Sequence, residues 1–461
     1  MKKMFKFFVI SVAIATGMVA CSSEEILPEN KASIERANLT IVVNSNAAAT
    51  KAIDDNNAVD SEKAISSVSL FVFGAATQAE ADTIFATTGA GGITDDGQNK
   101  VKVVFNNAPV GSKKVYVGIN LPADLHNLIK NNGVGAERVL SSLTDLAKLS
   151  PANGGFPMFS DESKSSILNI EQGKTNELEV RVKRFVAKVT LETTEDFENN
   201  TNNERTVDGV TINGNLFFAM GQMNTKFYPF PRNIGGVYQD PNHFAVISNG
   251  QLVYAADFIN EFYDFKANAS NWNSSTTGVD AGFKQVATKS QSATITNFKP
   301  GYVLENTNDS KREGELTYAF VKAKFTPAFT HEYDAKTGIT ATPNSKNDFS
   351  KLYVFNEGGN YLYMTNEDQA KEYKNDNNNL PYNTYTDCIC FYMVYLDSGS
   401  KTYNVLRNDY FKVQINSVSR LGDPVQGPND PAAEKDGKAS INVTIDVQPW
   451  ALKIQPAVLG D

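Results

Sequence analysis

Cys21 is the residue whose surroundings most directly imply chemistry. It follows Gly17-Met18-Val19-Ala20, at the end of an apolar run from Phe7 to Ala20 that is preceded by Lys2, Lys3 and Lys6. A basic start, a short apolar core and small residues before a cut describe a secretory signal, and the run is too short for a stable membrane span. A cysteine directly after the small residues predicts lipidation. Its thiol is diacylated, the chain is cut before it, and the mature chain begins with lipid. Ser22-Ser23-Glu24-Glu25 then reads as a polar, acidic tether resembling those that send some Gram-negative lipoproteins to the cell surface.

The other reactive residue types are poorly placed for catalysis. His126, His243 and His331 are scattered without a spaced partner, which is poor material for a metal site or histidine-based catalysis. Gly89-Ala90-Gly91-Gly92 has Thr94 where a phosphate loop needs its third glycine, and no Lys-Ser or Lys-Thr follows, so it reads as a hairpin loop. Thr94-Asp95-Asp96-Gly97 lacks the later bidentate Glu of a Ca²⁺ loop and reads as a solvated turn. His331-Glu332-Tyr333-Asp334 sits beside Pro327 in loop-like sequence with no nucleophile partner. Asp82-Thr83-Ile84 resembles a short O-glycan acceptor and is taken as plain loop. Cys388 and Cys390 fall in a strand-like run on one face, at the long limit of disulfide geometry, and are expected to be buried free thiols. No catalytic residue, metal site or cofactor is expected.

Composition narrows the class. At 461 residues the chain can hold two or three domains. A net charge of −9, with no basic cluster, argues against nucleic acid. The 28 Phe and 18 Tyr against only two Trp favour half-buried strand faces.

The elements follow from alternation. Asn38 to Asn44 places Leu39, Ile41 and Val43 on one face of a first strand, followed by a small-residue loop around Lys51 and Ala52. Val68–Phe73, Val101–Phe105 and Lys114–Asn120 read as further strands, and Pro122–Lys130 and Ala136–Leu149 as helices. Glu177 to Glu192 alternates throughout, and the domain boundary is placed inside it near Phe185. Later strands are expected at Val210–Met220, Phe244–Tyr254, Tyr302–Leu304, Leu316–Phe325, Lys351–Phe355, Tyr361–Met364, Cys388–Leu396 and Tyr410–Val418. The Pro-, Gly- and Asp-rich stretch Gly422–Lys438 is expected to be a mobile loop. Ser440–Val447 alternates strictly, and the chain ends in a tail with apolar Leu452, Ile454, Val458 and Leu459. Dense turns and few crossover helices predict a mainly all-β chain of antiparallel sandwiches. A strand removed from such a sandwich exposes an apolar groove bordered by unpaired backbone, a template for a strand from another molecule.

Several segments resemble the type V pilins, the fimbrillin family of fimbrial subunits from oral and gut anaerobes, and within it the minor-fimbria shaft subunits. They are Lys114-Val115-Tyr116-Val117-Gly118-Ile119-Asn120-Leu121-Pro122, Val182 to Val189, Val303-Leu304-Glu305-Asn306-Thr307 and Leu316 to Pro327. Val405 to Tyr410, Ile415 to Val418 and Val447-Gln448-Pro449-Trp450 complete the set. The resemblance implies two tandem transthyretin-like antiparallel β-sandwich domains with a few short helices. The organisation is then a signal peptide at 1–20, a tether and removable first strand at 21–51, sandwiches at 52–185 and 186–450, and a donor strand at 451–461. It implies a non-enzymatic pilus shaft subunit that supports adhesion and biofilm formation. Its site residues are Cys21 for lipid, Leu39, Ile41 and Val43 on the removable strand, and Leu452, Ile454, Val458 and Leu459 on the donor. Its partners are further copies, related pilus subunits, a surface trypsin-like protease, the outer membrane through the lipid, and a host or bacterial adhesion ligand. Family cleavage commonly follows arginine, whereas Lys51 occupies the matching loop here. Arg36-Ala37 is the alternative cut, read as lying before the strand. The competing class is a pilus tip adhesin or a monomeric surface glycan-binding lipoprotein. A tip subunit needs no donor strand, so the apolar tail favours the shaft.

Overall fold

In the computed structural model the described residues cover most of the chain from Glu35 to Pro456. Residues 1–34, 45–63, 140–148, 150–154, 253–261, 264–283, 289–300, 425–440, 450–454 and 457–461, with shorter stretches between them, lie outside the described residues. The alternating run around Ile41 forms β1 (Arg36–Asn44). β2 (Ala64–Ile65), β3 (Ser67–Gly74), β4 (Ile93–Gly97), β5 (Lys100–Pro109) and β6 (Gly111–Ile119) follow. Helix α1 (Ala123–Asn132) starts after Pro122 and buries Leu125 and Ile129, four residues apart on one face. β7 (Met158–Ser160) and β8 (Asn176–Arg184) complete this half, in the sheet path β3-β6-β7-β8-β1-β5-β4. β8 serves two neighbours, because Asn176 to Arg181 pair with β1 while Val182 to Arg184 pair with β7. The sheet thus wraps one apolar core, with Ile41, Val103, Leu70, Val117 and Phe159 inside it.

Asn120, in the Asn-Leu-Pro segment, holds the start of this half. Its Oδ1 accepts from Ser66 N at 2.8 Å, Ser66 Oγ at 2.9 Å and Ser67 N at 3.1 Å. Its Nδ2 donates to the carbonyls of Ala64 at 2.8 Å and Phe156 at 3.2 Å. The backbone there takes φ 50°, a left-handed conformation that Asn tolerates better than most side chains.

Phe185 lies at the edge of the first core. β9 (Val186–Thr193) directly follows β8, yet it joins a different sheet, and the apolar core changes between Val186 and Ala187. The second half begins with β10 (Val210–Ile212), β11 (Phe217–Gly221), β12 (Gly301–Leu304) and β13 (Tyr318–Pro327). An inserted sheet comes next, from β14 (Phe329–Asp334), β15 (Gly338–Pro343), β16 (Lys351–Glu357), β17 (Asn360–Met364), α2 (Glu367–Asp376) and β18 (Tyr382–Thr386). β19 (Ile389–Tyr395), β20 (Asp409–Val418) and β21 (Ile441–Pro449) return to the main body. The sheet β12-β9-β20-β21 faces a second sheet built on β10, β13, β11 and β19. Period-two alternation explains the packing. Ala319, Val321 and Ala323 of β13 share the core with Val189 of β9 and Val413 of β20, while Tyr318 and Phe320 point the other way into a small outer cluster.

The inserted sheet runs β15-β14-β17-β16-β18 and carries its own small core of Phe355, Met364, Ala370 and Tyr373 against α2. α2 is capped by Asn366, whose Oδ1 accepts from Asp368 N at 2.9 Å and Gln369 N at 3.2 Å.

Several expectations change. Ala136–Leu149 does not start as a helix, because Ala136 is non-helical and Arg138–Val139 pair as a strand with Lys226–Phe227. Val210–Met220 is two strands, broken where Asn213 Oδ1 accepts Asn215 N at 3.0 Å in a side-chain turn. The loop-like His331 segment is β14, paired with β15 over six residues. Thr94–Gly97 belongs to edge strand β4 rather than a turn, and Thr83–Ile84 pair with Val72 and Phe71 rather than forming loop. Cys388 and Cys390 are free and buried, with Cys388 in a turn at φ 54° just before β19. Of the expected mobile loop, Asp423 makes a fixed bridge to Phe391, and residues 425–438 lie outside the described residues.

Candidate functional site

β1 is an interior strand. It runs parallel to β8, from Leu39 opposite Asn176 to Asn44 opposite Arg181, and antiparallel to β5, from Arg36 opposite Pro109 to Asn44 opposite Lys100. Its neighbours therefore engage the backbone on both edges. Leu39, Ile41 and Val43 are each 0% exposed, and Ala37 continues the same face. Each such aliphatic side chain contributes about 1.5–3 kcal/mol on full burial. A bulge at Asn38 shifts the register against β5. There Asn176 Nδ2 donates to the carbonyl of Asn38 at 3.0 Å, and Arg36 Nη1 to that of Asn107 at 3.1 Å.

The outer face of β1 is covered too. Lys100 pairs with Glu179 and Lys102 with Glu177, each at 3.4 Å, joining β5 to β8 across the strand between them. Val42, opposite Lys102 and Glu179, is only 4% exposed as a result. The long lysine stems shield it while their charges stay in water. Such exposed pairs add little energy themselves. Their effect is to bracket a slot one strand wide.

A second constellation joins the two cores. Glu305-Asn306-Thr307 and Leu406-Arg407-Asn408 lie far apart in sequence and meet beside Phe185. Arg407 Nη2 bonds Glu305 Oε2, its backbone N donates to Glu305 Oε1 at 3.3 Å, and its guanidinium reaches the carbonyls of Pro229 at 3.0 Å and Tyr228 at 2.7 Å. Asn306 exchanges backbone bonds with Val405 at 2.9 Å in both directions, and its Nδ2 donates to Glu315 O at 2.7 Å. Asn408 Oδ1 accepts from Arg184 N at 3.4 Å and Nη1 at 3.3 Å. Breaking one partner of a buried ion pair costs about 3–5 kcal/mol, so this network fixes the junction.

Glu315, fully buried beside it, is pushed up to about 8 by burial. The folded chain therefore holds a proton that the unfolded chain releases above the usual carboxylate range, and stability falls as pH rises from about 5 to about 8. Glu315→Gln is expected to flatten that decline and to raise Tm by a few degrees at pH 8. Parallel melting curves at pH 5 and pH 8 for both proteins check it, and an unchanged slope in the variant would exclude Glu315 as the source.

The sequence-derived residues are distributed unevenly over this site. Leu39, Ile41 and Val43 fill the slot. Arg36 and Ala37 are the first residues of β1 itself and not a segment before it, because both are already paired, with Pro109 and Ala108. Cys21, Lys51, Ala52, Leu452, Ile454, Val458 and Leu459 lie outside the described residues. Of the tail, Gln455–Pro456 forms β22, which pairs in parallel with Ala64–Ile65 of β2. His331 is structural, its Nδ1 accepting from Tyr363 N at 3.0 Å, with burial lowering its pKa. The Lys–Glu pairs across β1 and the parallel pairing to β8 have no local signal in the sequence.

Residues 383–455, from β18 into the tail, match the family described as major fimbrial subunit protein type IV, fimbrillin, C-terminal. This segment is thus similar to the fimbrillin C-terminal domain, and that family is one of structural fimbrial subunits rather than enzymes. No curated protein matches the sequence. Among solved structures, the fimbrilin FimA of Porphyromonas gingivalis W83 aligns over 92% of this chain and 100% of its own, at 15% identity and a TM-score of 0.48. The tip fimbrial protein Mfa3 of Porphyromonas gingivalis, with a C-terminal truncation, aligns over 90% and 100%, at 13% identity and 0.38. A fimbrial assembly protein of Parabacteroides distasonis aligns over 89% and 99%, at 10% identity and 0.34.

Proposed function

We propose that this chain is a shaft subunit of a type V fimbria, exported as an outer-membrane lipoprotein and polymerised by strand exchange after proteolysis. The observation that carries the reading is β1, an interior strand with its apolar face wholly buried. Its departure would leave β5 and β8 as two facing edges above an apolar floor, a gap that only another strand fills well. Cleavage after Lys51 separates β1 from the body, and Cys21 then leaves with the released piece. A cut at Arg36 would require unpairing the start of β1, which supports Lys51 as the site. The donor is the 451–461 tail of another subunit, with its apolar Leu452, Ile454, Val458 and Leu459. Mass spectrometry of the N-terminus of assembled surface fibres tests the reading. It is expected to find Ala52 first, and a fibre that retains Leu39 to Val43 would end it.

Anchoring has its own expected result. Cys21→Ser should abolish palmitate labelling, leave unprocessed precursor and remove surface fibres, because the thiol is the attachment point for the diacylglyceryl group in the proposed signal. A Cys21→Ser chain that still takes up label and reaches the surface would exclude the lipid anchor.

A further inference from the structure

The inserted sheet turns one face toward the main body and leaves a cleft there. Asn356 of β16, Tyr361 of β17 and Asn383 and Tyr385 of β18 all project from that face, and the segment after β20 closes the other side with Arg420 and Asp423. The cavity is about 270 Å³, with Val354 and Leu421 at its floor.

Both walls are held rigidly. Asn356 Nδ2 donates to Tyr361 Oη at 3.0 Å, and its Oδ1 accepts from Gly359 N at 2.9 Å, so the turn presets the amide. Tyr361 lies nearly parallel to Tyr363, at 18° and 6.5 Å between centroids. Opposite, Tyr385 Oη donates to Gly422 O at 2.8 Å, Leu421 N donates to Asp208 Oδ2 at 2.7 Å, and Asp423 exchanges backbone bonds with Phe391 at 2.8 and 2.9 Å. Groups fixed on strands in this way lose little entropy when a ligand arrives.

The lining specifies a chemistry. Two amides supply both donors and acceptors, while one guanidinium and one carboxylate nearly cancel in charge. Tyrosine rings add flat apolar surface beside them. A ligand matched to this set is neutral, carries several adjacent hydroxyls, and offers one C–H face. A small ionic ligand would leave one of the two charges opposed, and a purely apolar one would strand the amides.

We propose that this cleft is a binding subsite for a neutral hexopyranose, one sugar unit deep. Asn383 and Arg420 at the mouth hold its hydroxyls, and Tyr361 takes its C–H face. Burial of Asp423, moderated by Arg420, raises its carboxyl above the usual range, which suits it to share protons with hydroxyls. The subsite is independent of strand exchange, since none of its residues touches the β1 slot.

Saturation-transfer NMR on the purified full-length protein tests it, with D-galactose, D-mannose and N-acetyl-D-glucosamine as separate probes and inorganic sulfate as the charged competitor. At least one sugar is expected to receive saturation at its ring C–H protons, and sulfate is expected not to displace it. Asn383→Ala combined with Arg420→Ala should weaken that sugar about tenfold or more. Both side chains are exposed, so the double variant is expected to stay folded, and a melting curve recorded alongside separates loss of binding from loss of fold. A Tyr361→Phe variant, which keeps the ring, should retain the ring-proton signal. Absence of transfer from all three sugars would overturn the proposal, as would full binding in the double variant or displacement by sulfate.

Discussion

A chain lacking residues 451–461 is expected to fold, to be cut by a trypsin-like protease, and to remain monomeric after the cut. The deletion removes the proposed donor, and with it β22 and its short pairing to β2, but leaves β1, its slot and both cores in place. Lys51→Ala should block fibres by the opposite route, because the uncut chain keeps β1 in the slot. Mixing the two proteins without wild type should give no polymer, since one offers no donor and the other no acceptor. Cleaved tail-deleted chains should still bind a synthetic 451–461 peptide, which separates loss of the donor from damage to the groove. Size-exclusion chromatography and electron microscopy after protease treatment read the outcome. The effect is all-or-none, because a polymer needs both partners at every junction. If tail-deleted chains form full-length fibres, the donor is elsewhere. β21 then becomes the candidate, since among the described residues it pairs with β20 alone, and it alternates through Ile441, Val443, Ile445 and Val447. Pro456 is a reason to make the test, for a proline deep in a donor strand deletes a ladder bond.

The slot was half legible. Alternation at Leu39, Ile41 and Val43 gave the strand and its buried face, since a period of two is set by the pleat itself. It could not give the neighbours. Parallel pairing to β8 joins residues more than a hundred positions apart, and only the assembled fold brings them together. Val42 shows the same limit, because its burial depends on lysines and glutamates from two other strands. The hairpin of β14 and β15 was missed for a different reason. Its side chains are mostly exposed or half-buried on both faces, so no hydrophobic period marks it. α2 did carry a readable signal, with Asn366 as cap, Glu367 and Asp368 in the first turn, and Ala370 and Tyr373 three apart on the buried side. The segment from Ala136 misled because helical spacing of apolar residues is a local preference. Pairing of Arg138–Val139 with Lys226–Phe227 overrides it.

Weakening the packing of β1 is expected to act before any protease does. Leu39→Ala and Ile41→Ala remove buried aliphatic groups that touch one core, and each such truncation costs about 2–5 kcal/mol. Their sites are adjacent on one face, so the combined loss need not be the sum. The backbone pairing to β5 and β8 remains, so the variant keeps the fold of its second half, whose core lies beyond Phe185. The slot then opens more often, and the uncut double variant should bind the 451–461 peptide while uncut wild type does not. After cleavage the variant's β1 should leave sooner, shortening the lag before fibres. Val104→Ala on β5 is the matched control, because that side chain is 50% exposed and its loss should change neither stability nor peptide binding. Fluorescence anisotropy of labelled peptide against uncut protein, with melting curves alongside, measures both effects. A double variant that melts well below wild type yet still refuses the peptide would mean that β1 stabilises its domain without guarding a strand-binding groove.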